Sequence, residues 1–286
     1  MTWSYAGEAG LPGPDQWAML SGTACNGDVQ SPIDLPHTES NQVEAGSNLM
    51  DDLHKEGDCM TFTGGVTENT WKVSGLDQCG SSHLSLHLDG KELTMGQFHL
   101  HAPSENTMNG QFFDAEIHFV YFDGAAPAAV VGVFLEAKSS NRDNAFLAQF
   151  WDHFDNQEHT LSNAIDPYAE FFPKNGDKMA SYYRFQGSLT TPPCLEGLTW
   201  TVFTQPVHMS TMQLNMYKNA LAHLPQTALA MFNNRPTQPL NGRVPELVTD
   251  LTWSYAGEGG KPGPDEWALA DARCAGTSQS PIDLPA

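Results

Sequence analysis

The sequence predicts a mixed, predominantly β fold in which a central sheet carries a few short surface helices. Three observations support this prediction. Several segments alternate apolar and polar residues with period 2, one segment is a short continuous apolar run, and only two segments show helical spacing. The 25 Gly and 19 Pro residues divide much of the remainder into short pieces, as turns and loops between strands do.

Four segments are predicted strands. Leu alternates with Ser and His over residues 84–88, and residues 97–101 and 115–121 alternate in the same way. The run Ala-Val-Val-Gly-Val-Phe-Leu at 129–135 is typical of a buried strand.

Helical spacing is clearest over residues 143–154 and 210–224. Ser210 is a suitable N-cap for the second segment, because its hydroxyl can accept a hydrogen bond from a free N–H of the first turn. We expect both helices to lie on the surface of the sheet.

The composition limits the partners of this 286-residue chain. Its 13 Lys and Arg against 34 Asp and Glu give a formal net charge of −21. Such a surface repels phosphates, which excludes nucleic acid and anionic lipid as expected partners. No apolar run is long enough to span a membrane, and no signal peptide is expected at the N-terminus. The acidity suits a soluble protein in brine, where salt screens like charges, but an ordinary acidic extracellular protein explains the composition equally well.

A long internal repeat divides the chain. Residues 2–8 (Thr-Trp-Ser-Tyr-Ala-Gly-Glu) recur at 252–258, and residues 30–36 (Gln-Ser-Pro-Ile-Asp-Leu-Pro) recur at 279–285. A period of this length is that of a whole domain. We therefore expect one complete domain over residues 1–250 and an N-terminal fragment of a second copy over 251–286. The sequence leaves open whether that fragment is disordered, packs on the first unit or exchanges with its N-terminal segment.

The five cysteines contain no Cys-x-x-Cys pair, so a zinc ribbon or a thioredoxin-type motif is not expected. Cys274 is the repeat counterpart of Cys25. The other four can form two disulfides in three different pairings, among which spacing alone does not choose.

Three histidines are predicted to converge on one face of the sheet. Period 2 places His99 and His101 on the polar face of segment 97–101, and His118 on the polar face of segment 115–121. If a turn between the segments pairs the two strands, the three imidazoles meet. Three neutral imidazoles with a fourth position open are typical of a catalytic zinc site. Gln97 and Glu116 share these faces and could orient two of the rings. A His-x-His pair is weak evidence by itself, because ordinary surface or core histidines produce such pairs by chance.

The residues around these histidines resemble the α-class carbonic anhydrases. The similarity lies in Gln-Phe-His-Leu-His-Ala-Pro-Ser-Glu-Asn at 97–106 with Glu-Ile-His at 116–118, and in blocks at 31–34, 187–194, 199–200 and 233–239 that occur in the family's order. The resemblance implies a large central, twisted, mostly antiparallel sheet, bound Zn²⁺, and reversible hydration of CO₂ to bicarbonate. The acidity and the tandem copy further resemble the duplicated, salt-tolerant enzymes of halotolerant green algae.

The resemblance implies roles position by position. His99, His101 and His118 would bind Zn²⁺, and Gln97, Glu116 and Asn233 would orient them. Thr190, donating its proton to Glu105, would orient the nucleophile, and Tyr5 would belong to the water network of the site. The implied CO₂ pocket consists of Val120, Val130, Leu189, Thr191 and Trp200.

Asn69 occupies the position at which the family usually has its proton-shuttle histidine. Because Asn does not titrate near neutral pH, we expect proton release to rely on buffer or on another group.

The family's secreted members have a disulfide at the positions of Cys25 and Cys194, which implies that bond here. A second bond between Cys59 and Cys79 is a hypothesis outside the family's usual pattern. Two disulfides would favour an extracellular or peripheral cell-surface protein. The alternative function is that of a non-catalytic carbonic anhydrase-related binding protein, although such relatives typically lose a zinc histidine. The sequence leaves the oligomeric state open.

Overall fold

The computed structural model describes residues 2–7, 10–36, 42–44, 49–139, 142–175, 178–228 and 230–249. The predicted second-copy fragment at 251–286 and its Cys274 lie outside the described residues, so the domain division stays a prediction. No helix within the described ranges combines the length and the apolar character needed to cross a membrane.

The described residues form strands joined by short helices and loops. The strands are β1 (Asp34–Leu35), β2 (Gln42–Glu44), β3 (Leu53–Glu56), β4 (Thr61–Val66), β5 (Trp71–Ser74), β6 (His83–Leu88), β7 (Lys91–His101), β8 (Thr107–Met108), β9 (Ala115–Asp123), β10 (Ala126–Lys138), β11 (Gln157–Thr160), β12 (Lys174–Asn175), β13 (Lys178–Met179), β14 (Tyr182–Ser188), β15 (Glu196–Phe203), β16 (Val207–Ser210) and β17 (Glu246–Thr249). The helices are α1 (Leu49–Asp52), α2 (Ala145–Ala148), α3 (Pro167–Glu170) and α4 (Thr211–Leu221), with a 3₁₀ turn at Trp17–Met19.

One large mixed sheet organises the described part of the chain. Its main strand order is β11-β4-β5-β7-β9-β10-β15-β14-β17-β2. Three further strands pair with this row: β6 pairs with β7, β3 pairs with β6, and β16 pairs with β10. Most neighbours are antiparallel. The parallel pairs are β10 with β15, β10 with β16, and β17 with β2. The prediction of a central, mostly antiparallel sheet is confirmed.

The two faces of the sheet carry different side chains. On one face, Phe98 and Phe119 belong to the main hydrophobic core, to which helices α2 and α4 contribute Phe146 and Tyr217. The opposite face carries the predicted histidines, because residues one position away along a strand point to the other side. The large core therefore supports the strands from behind while the opposite face is left for polar chemistry.

The four predicted strands fall within β6, β7, β9 and β10. The predicted helix at 143–154 is wrong in extent, since α2 covers only Ala145–Ala148. Beyond it, the N–H groups of Gln149, Phe150 and His153 each donate to a carbonyl three residues back, which makes tight turns instead of an α-helix. The apolar spacing there reflects burial of Phe146 and Phe150 against the core.

The second predicted helix is confirmed but ends earlier than expected, at Leu221. Ser210 is its N-cap: its hydroxyl accepts from the Gln213 N–H at 3.0 Å, and the Gln213 side chain accepts from the Ser210 N–H at 3.2 Å. This reciprocal capping box satisfies two groups at the start of α4.

Two disulfides close loops in the described residues. Cys25 is joined to Cys194 across 169 residues, and Cys59 to Cys79 across 20 residues. The chain-entropy account gives stabilisation of about 5 and about 3 kcal/mol for loops of these lengths. The first bond attaches the N-terminal segment to the loop that carries Thr190.

Candidate metal centre and active site

The register between β7 and β9 brings the three histidines together. These strands are antiparallel, and His99 is directly opposite His118, while His101 lies two residues further along β7. All three side chains therefore leave the same face of the sheet. One potential ligand atom from each lies within 4.8 Å of the others, and among the described residues this is the group with that geometry.

Each imidazole has a partner on the side away from the common centre. His99 Nδ1 donates to Gln97 Oε1 at 2.8 Å, and His101 Nδ1 donates to the main-chain oxygen of Asn233 at 2.6 Å. His118 Nε2 lies 3.1 Å from Glu116 Oε1. These contacts set the ring orientations and leave the other nitrogen of each ring for a ligand.

Asn233 orients His101 through its backbone, and its side chain holds that backbone in place. Asn233 Oδ1 accepts from the Ala102 N–H at 2.8 Å. Its Nδ2 donates to the Leu100 carbonyl at 2.9 Å and to the Asn69 carbonyl at 3.0 Å. The side-chain amide therefore ties a loop from the C-terminal half to β7.

Burial and charge set the protonation of the three rings. Burial lowers the pKa of His99 and of His101 well below the usual value, which favours the neutral form that binds metals. Burial alone would also lower the pKa of His118, but the charges of Glu116 and Glu105 raise it. The centre therefore attracts positive charge while two of its imidazoles stay neutral.

The donor set fits Zn²⁺. His101 Nε2 is buried without a hydrogen-bond partner, and Glu105 Oε2, 3.4 Å away, has no hydrogen-bond partner of ordinary geometry. Leaving such atoms buried and unpaired is costly, and a bound cation would remove that cost. Three imidazoles, two of them held by outer hydrogen bonds and the third by its 3.1 Å contact with the Glu116 carboxylate, are the ligands that a catalytic zinc ion takes.

Glu116 is buried, and its carboxylate accepts three hydrogen bonds. Its Oε2 accepts from the main-chain N–H groups of Glu105 at 2.9 Å and Asn106 at 2.8 Å, and its Oε1 accepts from Asn106 Nδ2 at 2.8 Å. Gly132, directly opposite His118 on β10, gives this carboxylate room, because an added Cβ would lie 2.9 Å from Glu116 Oε1. The same carboxylate thus fixes His118 and the backbone at Glu105.

Glu105 lies beneath the centre and is fully buried. Its Oε1 accepts from the Arg235 main-chain N–H at 2.9 Å. Burial raises the pKa of Glu105 to about 7, while His118 and the Thr190 hydroxyl favour the charged form. A dication on the histidines would favour the carboxylate further. Thr190 is therefore close enough to Glu105 to affect its charge, and its role as proton donor to this carboxylate stays a prediction.

Arg235 connects Glu105 to the N-terminal segment. Its Nη1 donates to Gln30 Oε1 at 2.9 Å and to the Ser31 carbonyl at 2.8 Å. Its Nη2 donates to the Cys25 carbonyl at 3.2 Å. Arg235 lies in the block 233–239, but its neighbours in the sequence predict no role for it. Its partners, more than 200 residues away, could not be found from local pattern.

Tyr5 and Asn69 lie on the same side of the site. Tyr5 packs edge-on against Trp3 and Trp17. Burial and the charge of Glu105 raise the pKa of Tyr5 well above its usual value, so its hydroxyl stays protonated. Asn69 is partly exposed, and its Oδ1 accepts from Thr67 Oγ1 at 2.9 Å.

An apolar surface adjoins the histidines. Val120, Val130 and Trp200 are directly opposite one another on β9, β10 and β15, and all three are buried. The Trp200 and His118 ring centres are 4.9 Å apart. Leu189 packs against this row, whereas Thr191 is half-buried in the adjoining turn, where its carbonyl accepts from the Cys194 N–H.

Lys72 is a second residue near the site whose role the sequence did not predict. It lies on β5 directly opposite His99, and its charge contributes to lowering the pKa of that histidine. Its ammonium forms no ion pair with the described acidic residues. Its positive charge is the feature of the sequence that could have drawn attention to it, because the chain has only 13 basic residues.

On the open face of a mostly antiparallel sheet, three histidines that could hold a metal ion lie beside a buried carboxylate, an arrangement typical of a metalloenzyme. The sequence matches the family described as eukaryotic-type carbonic anhydrase over residues 12–246. The chain belongs to this family and is an enzyme of the carbonic anhydrase type.

Individual relatives cover most of the domain. A carbonic anhydrase of Klebsiella pneumoniae is 33% identical over 246 residues, which cover 85% of this chain and 89% of the relative. The α-carbonic anhydrase of Thermovibrio ammonificans, solved with sulfanilamide, has a TM-score of 0.67 at 34% identity and covers 86% of this chain and 98% of its own. A carbonic anhydrase of Chlamydomonas reinhardtii, solved with acetazolamide, has a TM-score of 0.67 at 27% identity, with coverages of 83% and 96%.

Proposed function

We propose that this protein catalyses the zinc-dependent, reversible hydration of CO₂ to bicarbonate and a proton, and that it is adapted to high salt. The observation that carries the catalytic part is the convergence of His99, His101 and His118 within 4.8 Å, beside a buried glutamate.

The three histidines would hold the metal by their free ring nitrogens. Bound Zn²⁺ lowers the pKa of water to about 7 and so supplies hydroxide near neutral pH. Gln97, Glu116 and the Asn233 carbonyl fix the imidazoles in the required tautomers. Partial exposure of His99, in contrast to buried His101 and His118, opens the centre to substrate from one side.

Thr190 and Glu105 would orient the attacking oxygen. An ionised carboxylate only accepts hydrogen bonds, so Glu105 requires the Thr190 hydroxyl to donate to it. The threonine oxygen is then left as an acceptor and selects one direction for the proton of the nucleophile. Glu116 and Arg235 support this pair, since their bonds fix the Glu105 backbone and carboxylate.

The row Val120–Val130–Trp200, with Leu189, would hold CO₂ against the centre. CO₂ is small and nonpolar, so it gains from an apolar surface from which ordered water is displaced. Bicarbonate is charged and loses its hydration there, which favours its departure once formed. Because CO₂ is neutral, a net charge of −21 does not repel it.

This chain has no titratable side chain at the position of the family's proton-shuttle histidine, because Asn69 occupies it. Asn has no titratable proton near neutral pH, so the proton would leave by way of external buffer or another group of the chain.

Stopped-flow CO₂ hydration tests the proposal. The zinc-loaded protein should be active, lose activity on complete chelation, and regain it with added Zn²⁺. Activity that survives removal of all zinc would contradict the proposed chemistry. A zinc-loaded protein without activity would favour the non-catalytic binding protein instead.

The proposed salt adaptation is supported by the charge of −21 with only 16% charged residues. Like charges strain the compact state at low ionic strength, and salt screens that repulsion. The melting temperature should therefore rise from dilute buffer to molar NaCl. A flat or falling curve would contradict the adaptation.

We also propose an extracellular or peripheral cell-surface location, supported by the two disulfides, since such bonds persist in oxidising compartments. Cell fractionation with an antibody against the protein tests this proposal, and recovery in the cytosol would contradict it.

A further inference from the structure

A second group of imidazoles lies on β3 and β6, beside a glutamate of β7 and away from the triad. His83 and His87 leave β6 on the face opposite Leu84 and Leu86, which are buried in the core. Between them is Ser85, a small buried residue. His54 on β3 is directly opposite Ser85, and Glu92 on β7 is directly opposite His87. The strand register therefore places four side chains of metal-binding type around Ser85. We call these four residues the Ser85 cluster (His54, His83, His87 and Glu92).

The side chains of the Ser85 cluster lean toward one another. Glu92 Oε1 lies 3.0 Å from His83 Nε2 and 3.6 Å from His87 Nε2, so two imidazoles share one carboxylate oxygen. The ring centres of His54 and His87 are 4.2 Å apart. The hydroxyl of Ser85 is buried without a hydrogen-bond partner of ordinary geometry. It is nevertheless among the groups that favour ionised Glu92.

We propose that the Ser85 cluster is a second binding site for a divalent first-row transition metal such as Zn²⁺, with His83, His87 and Glu92 as ligands and His54 as the fourth. Imidazole and carboxylate are ligands that suit these ions, and harder cations such as Mg²⁺ and Ca²⁺ prefer oxygen alone.

Binding requires the two β6 imidazoles to move closer. Among the described residues only the zinc triad already has its ligand atoms within 4.8 Å. The movement is cheap, because His87 and Glu92 are about half exposed and are not packed in the core. We therefore expect affinity in the micromolar range, far weaker than at the buried triad.

The site is separate from the catalytic one. Glu92 and His99 belong to the same strand, β7, but seven residues apart, which corresponds to about 23 Å along a strand. The two sites therefore bind independently, and metal at the Ser85 cluster neither requires nor replaces metal at the triad.

Isothermal titration of the zinc-loaded full chain with Zn²⁺, with bound metal counted by elemental analysis, tests the proposal. The protein should bind a further equivalent of zinc. His87→Ala and His83→Ala should each weaken this second event at least about 10-fold, because losing a ligand costs no less than losing a residue that only orients one. Both variants should keep the first, tightly bound zinc, which shows that they are folded.

The matched control is His153→Ala, because the rings of His153 and His159 form the other close imidazole pair outside the triad in the described part of the chain, with centres 4.4 Å apart. This variant should bind the second zinc as the wild type does. Absence of a second event in the wild type would overturn the proposal. So would a second event that is lost in His153→Ala and retained in His87→Ala. If His87→Ala fails to fold, His87→Gln, which keeps a polar side chain of similar size, serves in its place.

Discussion

Gly132→Ala should weaken zinc binding although residue 132, directly opposite His118 on β10, has no side chain to contribute to the centre. The new Cβ would lie 2.9 Å from Glu116 Oε1, whereas an ordinary contact needs about 3.4 Å, so the carboxylate must retreat by about 0.5 Å. The distance from Glu116 Oε1 to His118 Nε2, now 3.1 Å, would then lengthen, which weakens the charged contact that orients the His118 ring. Loss of such a partner lowers metal affinity about 10- to 100-fold.

Competition between the protein and a soluble chelator measures this change, and urea unfolding of the metal-free protein separates it from overpacking, which costs about 1–3 kcal/mol. Gly65→Ala on β4 is the matched control, because its Cβ would meet nothing closer than the Lys72 carbonyl at 3.4 Å. It should bind zinc as the wild type does. A folded Gly132→Ala protein with unchanged zinc affinity would refute the role assigned to the Glu116 carboxylate.

Three further predictions concern the rest of the site. Asn69→His should raise CO₂ hydration turnover most at low buffer concentration, because it adds a group that titrates near neutral pH; equal rates for both proteins in dilute buffer would count against it. Replacing both Cys25 and Cys194 by Ala should lower the free energy of unfolding by up to about 5 kcal/mol, and the same change at Cys59 and Cys79 by up to about 3 kcal/mol, as urea denaturation would show; the reverse order would contradict the loop-length argument. Lys72→Gln should raise the inhibition constant of a monovalent anion such as nitrate about fivefold, the effect of losing about 1 kcal/mol of attraction between the anion and the positive charge on β5 directly opposite His99. An unchanged constant would show that the ammonium does not act on anions at the centre.

The helix at 143–154 illustrates where local pattern misleads. Its apolar spacing matches a helix, but the spacing arises because Phe146 and Phe150 reach the core from a short helix followed by tight turns. Over so few residues, two buried side chains four positions apart produce the same apolar spacing whether or not the segment between them is a continuous helix. At Ser210 the local signal was sufficient, because a capping box involves residues only three positions apart.

The sequence alone determined which strand faces are polar, and therefore that His99, His101 and His118 could share one side of a sheet. It determined this because the alternation of side chains is a property of the extended backbone and needs no knowledge of distant residues. The tertiary structure decided that His99 lies opposite His118, that the Asn233 carbonyl orients His101, and that Arg235 ties Glu105 to the N-terminal segment. It also decided that four metal-ligating side chains surround Ser85. These contacts join residues far apart along the chain, and strand register and loop packing, which no local periodicity encodes, bring them together.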